Sequence, residues 1–175
     1  GCASGPSREQ QAALADQARQ AAGTLAQTLG GELKAAMAAG GPENAISVCK
    51  EKAPLIAADV SARTGMQVKR VSPKNRNPGG VPDAWEAQAQ AQLEQRLAAG
   101  EQPQTLDMWQ VVDTPSGKLF RYAKALPTAA VCLNCHGENL ADPVKAKLAA
   151  DYPHDQATGY KAGMVRGIIS IKKPL

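Results

Sequence analysis

A five-residue segment, Cys132-Leu133-Asn134-Cys135-His136, restricts the fold more than any other feature of the sequence. Two cysteines separated by two residues and followed directly by a histidine are typical of a c-type heme attachment site. The thiols must reach the two vinyl groups on one edge of a porphyrin, and the histidine must turn back to bring an imidazole nitrogen to the iron. A tight helical turn meets both requirements, so we expect a short helix over 132–136. The motif occurs once, which predicts one heme.

Three other interpretations of the motif remain. A Cys132–Cys135 disulfide needs only the two cysteines and leaves His136 unexplained. A thioredoxin-like redox pair should follow a strand in a βαβ unit, whereas this motif follows a predicted hairpin. A zinc site that adds Cys49 to the two cysteines and the histidine is chemically possible. We favour heme attachment, because two cysteines at this spacing with a histidine directly after them are its signature.

The bulk properties agree with one domain that holds a cofactor. A chain of 175 residues suggests a single domain. Aromatic residues are only 3% of the sequence, and a core so poor in large rings gains from a bulky apolar cofactor. The net charge is +4 with acidic and basic residues interspersed, and no basic stripe alternates with aromatics, so we expect no nucleic-acid partner. The sequence contains no apolar stretch of about 18 residues, so it predicts no membrane-spanning helix.

The N-terminal residues predict a lipid anchor. Gly1 precedes Cys2, and a small, flexible stretch follows, which resembles a bacterial lipoprotein cleavage site. We therefore expect residues 1–6 to form a flexible tether, with a lipid on Cys2 as the chain's one attachment to a membrane. The alternative is a free thiol.

Hydrophobic periodicity predicts two long helices in the first 64 residues. Apolar residues recur at three- and four-residue steps over 7–39 and again over 42–63, and Gly40-Gly41-Pro42 separates the two. Ser7 with Gln10 predicts a capping box at the first helix. Pro54 predicts a kink just after Cys49, because it removes one helical hydrogen bond.

The rest of the chain predicts a mixed region of about four strands with helices between them. We expect strands over 66–71, 105–113, 118–125 and 165–172, with a hairpin turn at Thr114-Pro115-Ser116-Gly117. Asp83 and Glu86 predict a capping box at a third helix that ends before Gly100, and a short helix is expected over 142–150. The fold class is therefore α+β with an antiparallel sheet.

The second axial ligand of the iron is ambiguous from spacing. A buried cysteine such as Cys49, on the apolar face of a helix, is usually a small hydrophobic residue. Spacing alone favours a histidine or a methionine. Those candidates are His154, Met37, Met66, Met108 and Met164.

Further segments accompany the pentapeptide and make the pattern far more specific. They are Ala45-Ile46-Ser47-Val48-Cys49-Lys50, Arg76-Asn77-Pro78, Pro82-Asp83-Ala84-Trp85-Glu86, Arg121-Tyr122, Gly137, Tyr152-Pro153-His154-Asp155, Gly159-Tyr160 and Arg166-Gly167. On these residues the chain, from about Asn44 to its last residue, resembles a family of bacterial heme proteins that includes cyanobacterial members. That family has c-type heme and a PAS-like fold and was long catalogued as a domain of unknown function.

The resemblance implies a single PAS-like heme domain over 7–175, whose antiparallel sheet is preceded by a helical extension over 7–64. It also implies that His136 and Cys49 are the axial ligands of the iron. All four cysteines then have a role, and none remains for a disulfide. A thiolate ligand favours Fe(III) and gives a lower potential than histidine–methionine ligation. We expect Lys50, Lys52 or the Lys50 carbonyl that Pro54 frees to tune the bond from Cys49 to the iron, by hydrogen bonding or charge.

Four other polar residues are candidates for the heme pocket. We expect Arg76, Asn77, Arg121 and Tyr122 to bind the heme propionates or to line the pocket. The alternative is that they are ordinary surface or turn residues.

The sequence predicts an electron carrier and no enzyme, because it contains no nucleophile–base–orienter set and only two histidines. Covalent heme is attached outside the cytoplasm, so we expect a monoheme cytochrome in the periplasm or on the outer side of a membrane. Its partners would be other redox proteins or a membrane electron-transfer complex. The alternative is a redox or gas sensor, in which loss of Cys49 on reduction opens the iron to NO or CO. A structural role in a larger redox assembly is a third possibility.

Overall fold

The structure is a computed structural model and describes residues 5–175. The predicted lipid site at Cys2 therefore lies outside the described residues. No helix within 5–175 is both long enough and apolar enough to cross a membrane.

The first element is a long helix, α1 (Arg8–Thr64), made of two arms. Ser7 and Gln10 form the predicted capping box, and Gly65 ends the helix with a φ of 70°. Helical dihedral angles are lost at Gly40 and Gly41, which separates arm 8–39 from arm 42–64 and confirms the two predicted helices. The backbone at Pro54 stays helical, so the predicted kink after Cys49 is not a break in the helix. A proline costs one hydrogen bond, but its fixed φ is compatible with a helix.

The sheet has four antiparallel strands, in the order β1-β4-β3-β2. The strands are β1 (Gln67–Val71), β2 (Asp107–Thr114), β3 (Gly117–Pro127) and β4 (Val165–Pro174). Thr114 pairs with Gly117 at the β2–β3 turn, where the hairpin was predicted. All four predicted strands are confirmed, and β4 lies between β1 and β3.

Each face of the sheet is covered by a helix. Alternate residues of β4 face opposite sides: Ile169 and Ile171 pack against α1, and Ile168 packs against α2 (Ala84–Ala98). Small alanines on α1 allow the helix to lie close to the sheet. The buried residues on that side are Ala15, Ala18, Ala21, Ala22, Leu25, Val60, Met66, Val68, Phe120, Tyr122, Ile169 and Ile171. Asp83 and Glu86 form the predicted capping box of α2.

The chain between β3 and β4 carries the pentapeptide. A 3₁₀ turn (Ala130–Cys132) leads into α3 (Leu133–His136), which confirms the predicted helical turn. Helix α4 (Asp142–Asp151) then packs Val144 and Leu148 against Ile46 of α1. Two further 3₁₀ turns, Pro78–Gly80 and Pro103–Thr105, lie before and after α2. The fold therefore holds α3 beside the second arm of α1.

Candidate functional site

A cleft of about 300 Å³ is lined by both arms of α1, by the end of β1 with the loop that follows it, and by α3. That volume lies at the lower end of the range for small-molecule and cofactor sites. Cys49 lines the cleft from α1, and Cys132, Cys135 and His136 line it from the pentapeptide. The fold thus brings Cys49 to the three pentapeptide residues that the sequence singled out, from a distant part of the chain.

The walls of the cleft differ in chemistry. The wall from α1 is apolar and consists of Leu33, Met37, Ala45, Ile46, Ala53 and Ala57. The wall from β1, the following loop and β4 supplies Lys69, Arg70, Lys74, Arg76 and Arg166. Of the described residues that line the cleft, none is an aspartate or a glutamate. A ligand with a large apolar body and negatively charged groups suits both walls.

His136 is held as a neutral imidazole. Its Nδ1 lies 2.7 Å from the carbonyl oxygen of Ala157. Because a carbonyl only accepts hydrogen bonds, Nδ1 carries the proton and Nε2 keeps a free lone pair. Burial lowers the pKa of His136 to about 2, and the charges of Arg166 and Arg76 act in the same direction. The histidine therefore has the protonation state that a metal ligand requires.

The three described cysteines are free and half-buried. Burial raises the pKa of both Cys49 and Cys135, although nearby arginines oppose the rise. Within 5–175, no group of three or more histidine, cysteine, aspartate or glutamate residues is arranged to hold a metal ion. The thiols are available for covalent attachment or for ligation of a metal that a cofactor brings.

Gly137 closes α3 in a way that only glycine permits. Its N–H donates to the carbonyl oxygen of Leu133 at 3.0 Å. A Cβ at Gly137 would lie 2.5 Å from the same oxygen, so a side chain there would push the last turn apart. This turn fixes the positions of Cys135 and His136.

Arg76 braces the pentapeptide from the side. Its Nε donates to Asp155 Oδ1 at 2.9 Å, and its Nη2 donates to the carbonyl oxygens of Cys135 and of Ala157, the latter at 3.1 Å. Only 13% of the Arg76 side chain and 10% of the Asp155 side chain are exposed. The carbonyl oxygen of Ala157 also accepts a hydrogen bond from His136, so Arg76 and His136 share this one acceptor. Asn77 lies beside the cleft, where its side chain caps the 3₁₀ turn by accepting from Gly79 N at 2.9 Å.

The comparison with protein families decides where the chain belongs. The model of the Tll0287-like family matches residues 7–174, nearly the whole chain. The chain belongs to the Tll0287-like family. A solved structure, that of the cyanobacterial heme-protein Tll0287, matches with a TM-score of 0.67 and 24% identity over 97% of both chains. At that identity the match shows the shared α+β fold. None of the curated proteins compared matches the chain.

Most of the candidate axial ligands in this family member lie away from the cleft. Met66 is buried in the core beside α1, and Met108 packs on the opposite side of the sheet. Met164 is 44% exposed, and His154 is exposed on the loop before β4. Of the six candidates, only Cys49 and Met37 line the cleft.

Arg121 and Tyr122 lie outside the cleft, contrary to the prediction. Arg121 pairs with Asp83 at 2.9 Å, and Tyr122 donates to Asp107 Oδ2 at 2.7 Å. Adjacent strand residues point to opposite faces of a sheet, and a helix covers each face of β3. These two residues therefore hold α2 and α1 against the sheet.

The lysines expected to tune Cys49 are also engaged elsewhere. Lys50 donates to the carbonyl oxygen of Asp151 at 2.7 Å, and Lys52 pairs with Glu32 at 2.9 Å. The positive charges that oppose the burial-driven rise in the pKa of Cys49 belong to Arg70, Arg166 and Arg76. Arg70 was not among the residues that the sequence predicted for the heme pocket. The one signal for it was a pair of adjacent cations, Lys69-Arg70, inside a strand.

Proposed function

We propose that this chain is a monoheme c-type cytochrome that transfers electrons in the periplasm or another exported compartment. The observation that carries the proposal is the cleft, where two thiols, a neutral histidine and a third cysteine meet between an apolar wall and a cationic one. The cleft fits the heme group, since a porphyrin is a flat apolar body with two carboxylates. The printed description of Tll0287 as a heme-protein supports the same cofactor.

Each site residue has a separate task in this proposal. Cys132 and Cys135 would hold the group by thioether bonds, and His136 would ligate the iron through Nε2. Cys49 would ligate from α1, because it and Met37 are the candidates that line the cleft and the family resemblance favours the cysteine. Arg70 and Arg166 favour the thiolate form of Cys49, since they act against the effect of burial on its pKa.

Once bound, the heme supplies a one-electron redox centre. The protein's part is to hold that centre still and keep water from it. The carbonyl oxygen of Ala157 fixes the imidazole plane and strengthens its electron donation, since it accepts a hydrogen bond from the Nδ1–H of His136. The apolar wall of α1 excludes water, and a rigid, dry ligand set lowers the reorganisation needed when the charge of the iron changes. With His136 and Cys49 the chain itself would supply two ligands to the iron, which favours electron transfer over catalysis at an open iron site.

The ligand assignment can be tested by a pair of single substitutions. We expect Cys49→Ser to abolish the low-spin thiolate signature in the absorption and electron paramagnetic resonance spectra of the oxidised protein. Met37→Leu is the matched control, because Met37 lines the same wall and leucine preserves its apolar character. It should leave both spectra unchanged. Coincident spectra for wild type and Cys49→Ser would refute Cys49 as ligand, and a low-spin spectrum that changes only in Met37→Leu would point to the methionine.

Carbon monoxide separates electron transfer from sensing. In the proposed carrier, both ligands stay bound in the reduced state, so the reduced wild-type spectrum should not change on addition of CO. Cys49→Ser, with a weaker ligand, should bind CO and provides the positive control. Rapid CO binding by the reduced wild type would overturn the electron-transfer proposal in favour of a gas sensor.

A further inference from the structure

Two arginines in the cleft have no acidic partner. Arg166 Nε is buried and has no hydrogen-bond partner within the described chain. Arg70 forms none of the ion pairs found in residues 5–175, and no carboxylate contributes to the shift of its pKa, which burial and the charge of Arg166 lower. Arg76 differs, since Asp155 neutralises it. The cleft thus contains two unneutralised guanidinium groups close to each other.

The strand pairing brings the start of β4, which carries Arg166, beside the end of β1. Val71 pairs with Ile168 at the end of β1, and Ser72 Oγ donates to the carbonyl oxygen of Arg166 at 2.8 Å. Gly167 makes the contact possible, because a Cβ there would lie 2.6 Å from the carbonyl oxygen of Val71. The backbone therefore places Arg166 beside the end of β1, which carries Arg70.

Arg70 is solvent-exposed and Arg166 is half-buried, with its Nε buried. Two like charges held near each other are unfavourable until an anion joins them. A guanidinium group presents parallel N–H donors that match the two oxygens of a carboxylate. Two guanidinium groups on one wall suit two carboxylates on one edge of a rigid ligand. Lys74 is not available for this purpose, since it contacts the carbonyl oxygen of Thr158 and lies 4.6 Å from the centre of the Tyr160 ring.

We propose that Arg70 and Arg166 together bind the two propionate carboxylates of the heme. The inference rests on the proposed heme function and assigns the cationic wall its ligand. It replaces the roles that the sequence suggested for Arg121 and Tyr122. The arginine charges keep the propionates ionised, so the carboxylates stay hydrogen-bonded over the neutral pH range.

The test is resonance Raman spectroscopy of the heme-loaded protein, in which the propionate bending band reports hydrogen bonding to the carboxylates. We expect the band to shift in Arg70→Gln and in Arg166→Gln, and to shift further in the double variant. Arg63→Gln is the matched control, since it removes the same charge from an exposed pair with Asp59 on α1. It should leave the band in place. Arg70→Lys and Arg166→Lys keep the positive charge but lose the parallel N–H donors of the guanidinium group. These variants should still load heme, and they should shift the band by less than the glutamine variants do.

Each outcome separates the inference from the proposed function. Intact mass first establishes whether the wild type carries heme. Absence of heme would refute both the proposed function and the assignment of the two arginines. If the wild type and the double glutamine variant carry heme with the same band position, the pair does not bind propionates and only the inference fails. A wild-type midpoint potential that moves when inorganic phosphate is added at constant ionic strength would also overturn it, because the pair would then be open to free anions.

Discussion

Substitution of Arg76 tests whether the brace on the pentapeptide stabilises the site. In Arg76→Gln, Asp155 keeps its carboxylate charge but loses its ion partner, and the carbonyl oxygens of Cys135 and Ala157 lose a charged donor. Removing one partner of a buried ion pair costs about 3–5 kcal/mol. Asp155 still accepts from the Ala157 N–H at 3.0 Å and is 10% exposed, so we expect the lower end, about 3 kcal/mol.

The assay is thermal unfolding of the heme-loaded protein, followed by far-ultraviolet circular dichroism. For a chain of this size, about 3 kcal/mol corresponds to a fall in Tm of roughly 6–12 °C. The control is Arg63→Gln, which breaks an exposed arginine–aspartate pair of similar length, 3.0 Å with 73% and 55% of the two side chains exposed. It should cost about 0.5 kcal/mol or less.

A double variant isolates the ion pair from the other contacts. Because an asparagine side chain carries no charge, Arg76→Gln/Asp155→Asn should be about 2 kcal/mol more stable than the sum of the two single changes predicts. The loss of Arg76 should also lower the midpoint potential, since Ala157 becomes a better acceptor for His136. Equal and small Tm changes in Arg76→Gln and Arg63→Gln would refute this account of the brace.

Three further predictions concern the supporting structure. Gly137→Ala should cost about 1–3 kcal/mol and lower the fraction of chains with covalent heme, measured by intact mass, and a full heme load with unchanged Tm would contradict the close contact with Leu133. Tyr122→Phe should cost about 1 kcal/mol in urea unfolding, through loss of the bond to Asp107, and no change would show that this bond adds nothing. Burial raises the pKa of Asp83, but bonds from the Glu86 N–H and Arg121 lower it more, to below 3.8. The stability that the Asp83 carboxylate contributes is present above pH 3.8 and is lost as the pH falls below it. The free energy of unfolding should therefore fall less steeply with acid in Asp83→Asn than in the wild type. Parallel pH profiles would contradict it.

The elements that sequence alone predicted are those with local causes. The capping boxes at Ser7 and Asp83 depend on residues three positions apart, and the β2–β3 turn depends on four consecutive residues. The helical turn over 132–136 follows from the chemistry of heme attachment. Such features need no knowledge of the rest of the fold, and the structure reproduces all of them.

The part of the cationic wall that the strands supply could not be predicted, because it depends on which strands are neighbours. Arg70 and Arg166 meet only because β4 lies between β1 and β3, with Gly167 against Val71. Arg121 is equally cationic, but its place on β3 directs it towards α2 and Asp83. No local pattern separates an arginine that lines a cleft from one that binds a helix cap.

The most direct test of a covalent heme in this cleft is the intact mass, with the Soret absorbance, of the chain matured in a host that attaches c-type heme. We expect the wild-type protein to show a mass gain of one heme and a strong Soret band. Both should disappear in the double variant Cys132→Ser/Cys135→Ser and persist in Cys2→Ser, which alters a cysteine that is not part of the attachment motif. A colourless wild-type protein with the mass of the bare polypeptide, purified from a host that loads a known c-type cytochrome in parallel, would contradict it.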